Sequence, residues 1–77
     1  GEYEVIEAEI IETSELINKE LKNSNLPDEI RIGAVLRENK VIIPRSNFIF
    51  QKEDKVVLLA KKDSISVVEN IFRISSI

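Results

Sequence analysis

Apolar and polar residues alternate from Tyr3 to Glu12, with Ile6, Ala8 and Ile10 on one side and Glu7 and Glu9 on the other. A period of two is the signature of a strand with one face buried. The period then changes. Thr13 and Ser14 offer capping hydroxyls ahead of Glu15–Lys22, where Ile17 and Leu21 stand four apart and Glu15 sits in the first turn, and this pattern predicts a helix of two to three turns. Asn23-Ser24-Asn25 breaks it, and Leu26-Pro27-Asp28-Glu29 is a connector because Pro27 cannot continue a helix.

Strict alternation resumes at Ile30. Ile30, Ile32, Ala34 and Leu36 share the expected core face, while Arg31, Gly33, Val35 and Arg37 take the other. Gly33 inside a strand marks a bulge or a close approach of another backbone or ligand, and the bulge is the plainer reading. Glu38-Asn39-Lys40 is a polar hairpin turn leading into Val41-Ile42-Ile43, which Pro44 cuts short. Proline cannot donate to a ladder, so this strand belongs at an edge or ends there. After the loop at Arg45-Ser46-Asn47, Phe48 and Phe50 return to the core. A Gln51–Asp54 turn then opens an apolar central strand, Lys55–Ala60. Asp63 or Ser64 is placed to cap a last helix whose Ile65, Val68 and Phe72, with Val67 and Ile71 beside them, form a broad apolar face. Arg73–Ile77 reads as a frayed tail. The expected fold is α+β, in the order β-α-β-β-β-α, with an antiparallel or mixed sheet covered by helices.

With 77 residues the chain is one domain, residues 1–77, and one this small buries only about 60% of its unfolded surface. Hydrophobic residues make up 43%, but the aromatics are only Tyr3, Phe48, Phe50 and Phe72, so Ile, Val and Leu must build the core, and self-association would help it. Strand-like sequence begins almost at the first residue, which suggests a piece of a longer protein with a partner domain missing. No apolar run approaches the roughly 20 residues that cross a bilayer, and the acidic start is unlike a signal peptide. A net charge of −3 with both signs interspersed argues against nucleic acid and against a polybasic membrane contact. The absence of cysteine rules out disulfides and suits a reducing compartment.

The chain also has no histidine, so the usual general base, the usual nucleophile and most transition-metal ligands are missing, and no enzyme is expected. Glu7 with Glu9 and Glu53 with Asp54 read as solvated surface charges. One constellation remains. Arg37 ends its strand beside the turn, Asn39 follows, and Ile42-Ile43-Pro44 folds back alongside. A guanidinium can grip a phosphate or carboxylate, an amide can read a base or sugar, and Ile with Pro can floor a small pocket. The plainer alternative pairs Arg37 with Glu38 or with an acid of a partner subunit. Arg31 and Arg45 read as surface charges.

Val5–Ile10, Ser14–Lys19, Leu26-Pro27, Ile32–Arg37, Ile42-Ile43-Pro44, Asp54–Ala60 and Val68–Phe72, taken in order and spacing, resemble the RCK-C (TrkA C-terminal) family over nearly the whole chain. Two positions depart from it, because the family usually has glycine where Asn18 and Glu53 stand. The resemblance implies a cytosolic two-fold homodimer at the inner face of the membrane. It would sit behind an N-terminal Rossmann-like domain of the parent chain, which would hold any NAD or ATP, and would gate a membrane potassium transporter. No cofactor is implied within this domain. Some relatives bind cyclic di-AMP between dimer subunits, which here would place Arg37 on the phosphate and Ile43 and Pro44 under the base, with Asn39 and Ile42 beside them. The alternatives are a purely structural dimerisation module without ligand, or an RCK-C domain of another membrane carrier.

Overall fold

The structure is a computed structural model, and it describes residues 2–74. Five antiparallel strands form one sheet: β1 (Tyr3–Glu9), β2 (Ile30–Arg37), β3 (Lys40–Ile42), β4 (Lys55–Lys61) and β5 (Arg73–Ile74), in the order β3-β2-β4-β1-β5. Among the described residues a single α-helix, α1 (Ile65–Ile71), follows one turn of 3-10 helix at Lys62–Ser64. The α+β class is as expected, with the sheet wholly antiparallel. The apolar strand Lys55–Lys61 lies at its centre, between β2 and β1.

The core lies on one face of this sheet. Ile6 and Ala8 of β1, Val56, Leu58 and Ala60 of β4, and Ile30 and Val35 of β2 are buried there with Leu16, Phe50, Val68 and Phe72. β1 follows its predicted alternation throughout. β2 does so only to Gly33, where the ladder to β4 shifts register between Ile32 and Ala34. The expected bulge is therefore present, and it reverses the phase of everything after it. Val35, opposite the buried Val56, turns inward, while Leu36 and Ala34 pass to the far face. The prediction of Ala34 and Leu36 on the core face is corrected accordingly. Gly33 does not have a positive φ, and a Cβ there would meet only the Val57 carbonyl oxygen at 3.4 Å. The extra residue, not the missing side chain, makes the bulge.

The predicted first helix is also corrected. Ser14 Oγ accepts from the Leu16 amide at 3.1 Å, but this caps only a single turn. Asn18 then enters the left-handed region at φ 68°, which Asn tolerates better than most residues. From there the chain runs alongside 46–50: the amides of Asn18, Leu21 and Lys22 donate to the carbonyls of Phe50, Phe48 and Ser46 at 2.8, 2.8 and 2.9 Å. A short 3-10 turn at Leu21–Asn23 is the only helical remnant. Two long connections thus satisfy each other's backbone groups, which a two-turn helix with one apolar pair would not do.

At the other end, neither Asp63 nor Ser64 caps α1 through its side chain. Its apolar face is narrower than predicted, since Val67 is exposed and Phe72 is buried from an extended conformation just past the helix. Arg73 and Ile74, expected to fray, pair with Glu9 and Ala8 as β5; Ser75–Ile77 lie outside the described residues.

Glu53 has φ 71°, a conformation that costs a residue with a Cβ roughly 1–2 kcal/mol and glycine almost nothing. We expect Glu53→Gly to raise stability by about 0.5–1 kcal/mol and Asn18→Gly to change it by less, as read from urea unfolding midpoints.

Candidate functional site

The hairpin that carries the predicted site is tightly built. Glu38 and Asn39 both have positive φ, 52° and 66°, the type I′ geometry whose twist matches that of the flanking strands. Arg37 and Lys40 are paired across it. The bulge puts Arg37 in phase with Val35, so its side chain emerges at the end of the core-facing row.

There it meets Asp54. Arg37 Nε donates to Asp54 Oδ1 at 2.8 Å and Nη2 to Oδ2 at 2.7 Å, a bidentate fork. Nη2 also donates to the Ile49 carbonyl at 2.9 Å, and the guanidinium lies 4.9 Å from the centre of the Phe48 ring. Phe48 packs edge-to-face on buried Phe50, with ring centres 5.3 Å apart. Asp54 is only 1% exposed and takes a further hydrogen bond from the Gln51 amide at 2.9 Å. Its hydrogen bonds to the guanidinium raise the Arg37 pKa above its ordinary value, aided by the charges of Asp54 and Glu38 and opposed by burial. A raised arginine pKa gives stability that is present below the unfolded value and lost only as pH rises through the folded one. From the arginine side the pair therefore holds at every pH near neutrality.

Two readings change here. Asp54 is not a solvated turn acid, and within the chain the acid that Arg37 meets is Asp54 and not Glu38. Among the described residues Nη1 makes no hydrogen bond, so one edge of the fork remains open. Of the other predicted site residues, Asn39 is exposed at the tip of the turn, Ile42 is half-buried against the core, Ile43 is 70% exposed and Pro44 is half-buried. Strand pairing sets Lys40 opposite Arg37 and Ile42 opposite Val35, with Asn39 in the turn between the strands, and Ile43 and Pro44 follow directly on β3. Arg31 and Arg45 are exposed, as expected.

Sequence reasoning missed Asp54. The available signal was the turn itself: an acid three residues after Gln51, opening a buried central strand, stands where its side chain can turn back to an amide. Open depressions lie elsewhere. One of about 370 Å³ is bounded by Ile11, Leu16, Lys19, Asn25 and Asn70. A smaller one, about 180 Å³, lies between Glu7, Leu36, Lys55 and Val57.

Residues 5–73 match the family model of the TrkA-C domain. The chain belongs to the TrkA-C family. It is 43% identical over 75 residues to a Trk system potassium uptake protein TrkA from Azorhizobium caulinodans, covering 97% of this chain and 16% of that protein. It is also 38% identical over 64 residues to a TrkA homolog from Archaeoglobus fulgidus, covering 83% of this chain and 15% of the homolog. A K(+)/H(+) antiporter NhaP2 from Shewanella sp. strain ANA-3 is 30% identical over 72 residues, 94% of this chain and 12% of the antiporter. This TrkA-C domain thus spans about one-sixth or less of these relatives. A solved structure described as an RCK domain with cda shares the fold at a TM-score of 0.74 and 17% identity, covering 90% of this chain and 97% of the other.

Removing Arg37 strands a buried carboxylate with one remaining donor. Arg37→Met is expected to cost about 3–5 kcal/mol, whereas Arg37→Met combined with Asp54→Leu recovers most of that loss, as measured by a double-mutant cycle in urea.

Proposed function

We propose that this TrkA-C domain is the regulatory and dimerisation module of a Trk-type potassium-uptake system. It works at the cytoplasmic side of the membrane, behind an N-terminal nucleotide-binding domain, and biases a membrane potassium transporter. The observation that carries this reading is the 43% identity to a protein named for Trk potassium uptake, across 97% of the chain. The antiporter relative supports a second reading in which the same module serves a membrane carrier. Potassium is common to both. Among the described residues no helix is long and apolar enough to cross a membrane.

The ligand in this reading is an anionic nucleotide such as cyclic di-AMP, held at the seam between two subunits. The neighbouring RCK domain solved with cda favours it. So does the open Nη1 edge of Arg37, standing on the same hairpin as exposed Asn39 and Ile43. Asp54 would hold the guanidinium so that its remaining donors meet a phosphate, and Ile43 with Pro44 would carry the base. Such a ligand biases the transporter only as far as it binds one dimer geometry better than the other.

Because Arg37 also holds the fold, Arg37→Ala does not isolate binding. The informative variant is Ile43→Asp, on an exposed side chain. In a thermal-shift panel of cyclic di-AMP, ATP and NAD, one nucleotide at about 100 times its Kd is expected to raise the midpoint by roughly 10–20 °C. Ile43→Asp should abolish that shift while leaving the unliganded midpoint nearly unchanged. Silence across the panel from dimeric protein would leave the ligand-free dimerisation module.

A further inference from the structure

The depression of about 370 Å³ lies where three parts of the chain converge: the segment leaving β1, the turn at 24–25 and the end of α1. Its floor is apolar, with Leu16 buried and Ile11 and Ile71 half-buried. Thr13, Asn25 and Asn70 are exposed on its rim, and their side chains make no hydrogen bond among the described residues. An apolar floor with a few convergent polar groups is the usual composition of a small-molecule site, and a volume near the lower end of the roughly 300–1,000 Å³ range favours a small metabolite over a dinucleotide.

Two charged residues on the wall set the character of that metabolite. Glu15 and Lys19 stand four apart, and in the helix their spacing suggests they would pair with each other. The left-handed backbone at Asn18, φ 68°, breaks that helix between them. Among the described residues neither makes an ion pair, so the depression offers one anion and one cation. Glu12, the nearest other charge along the chain, lines a neighbouring depression with Lys52 and Arg73.

The backbone beneath these charges is anchored. The Leu16 amide donates to Ser14 Oγ at 3.1 Å and the Lys19 amide to the Leu16 carbonyl at 3.0 Å, while the Lys19 carbonyl accepts from the amide of buried Phe50 at 3.1 Å. A wall already in place spends less of a ligand's binding energy on ordering. Opposite charges above an apolar floor match a zwitterion with an apolar tail.

We propose that this depression binds a free α-amino acid with an aliphatic side chain. Lys19 meets its carboxylate, Glu15 its ammonium, and Ile11, Leu16 and Ile71 its side chain. The site is separate from the Arg37 hairpin and does not depend on the nucleotide reading.

The test is a titration of the isotope-labelled 77-residue chain with L-alanine, L-valine and L-leucine up to about 20 mM, followed by amide NMR shifts. For L-leucine, saturable shifts at Glu15, Lys19, Asn25 and Ile71 are expected with a Kd of about 1 mM. Isocaproate, which lacks the ammonium, and isoamylamine, which lacks the carboxylate, should each bind about tenfold more weakly. Glu15→Gln and Lys19→Gln should each weaken L-leucine by a similar factor. Both positions are exposed, and circular dichroism with thermal melts checks that each variant remains folded. The absence of saturable shifts at these amides with all three amino acids would overturn the site. Isocaproate or isoamylamine binding as tightly as L-leucine, or a Kd that neither variant changes, would overturn the zwitterionic ligand. Each of these results leaves the nucleotide reading at Arg37 standing.

Discussion

Two charges at the same end of neighbouring strands, one rung beyond the Leu36–Lys55 pair, organise this domain. Arg37 closes the β2–β3 hairpin and Asp54 opens β4, and between them the chain makes a long excursion through residues 43–53. Their bidentate contact fixes where that excursion ends. The third bond, from Nη2 to the Ile49 carbonyl, fixes its middle. Phe48 stacks under the guanidinium while Phe50 enters the core, so 48–50 is held beside 18–22, just past the turn that the Phe48 amide closes on the Arg45 carbonyl. One ion pair thus decides the conformation of two connections.

Such a pair is a weak source of net stability, because desolvating both groups offsets most of their attraction. Its larger effect is on specificity. A buried carboxylate with a single acceptable partner penalises any arrangement that separates the two, and a one-residue slip of β2 would turn Arg37 to the opposite face. The bulge and the ion pair therefore enforce each other: the register shift at Gly33 lets Arg37 reach Asp54, and Asp54 penalises the unshifted register.

The sheet was legible in the sequence because its strands carry a period of two or an unbroken apolar run, and β1, the hairpin and the central Lys55–Lys61 strand follow directly from it. What was not legible depended on non-local partners. Ile17 and Leu21 are four apart and suggest a helix, but the amides of 18–22 find acceptors in 46–50, and pairing across some thirty residues leaves no local periodicity. Gly33 was readable as a bulge, yet its consequence, the change of face from Ala34 onward, appears only when the strand is laid against β4. At the candidate site the sequence picked out Arg37 by its position and chemistry. It could not supply Asp54, because an acid in a polar turn looks solvated until a cation arrives from elsewhere. The glycines expected at Asn18 and Glu53 have a direct physical account in the left-handed backbone at both positions.

The bulge also sets how pieces of this chain can be moved. The segment from Ala34 to Pro44 carries its own turn and its own pair of faces, but which face points inward is decided by a single residue just before it. Grafted onto a regular strand without that extra residue, the hairpin would arrive inside out, with Leu36 and Val41 toward the host's core and Val35 and Arg37 toward solvent. Gly33 and the hairpin are therefore the smallest transplantable unit of this fold, and a sequence comparison that places a gap between them compares residues from opposite sides of the sheet.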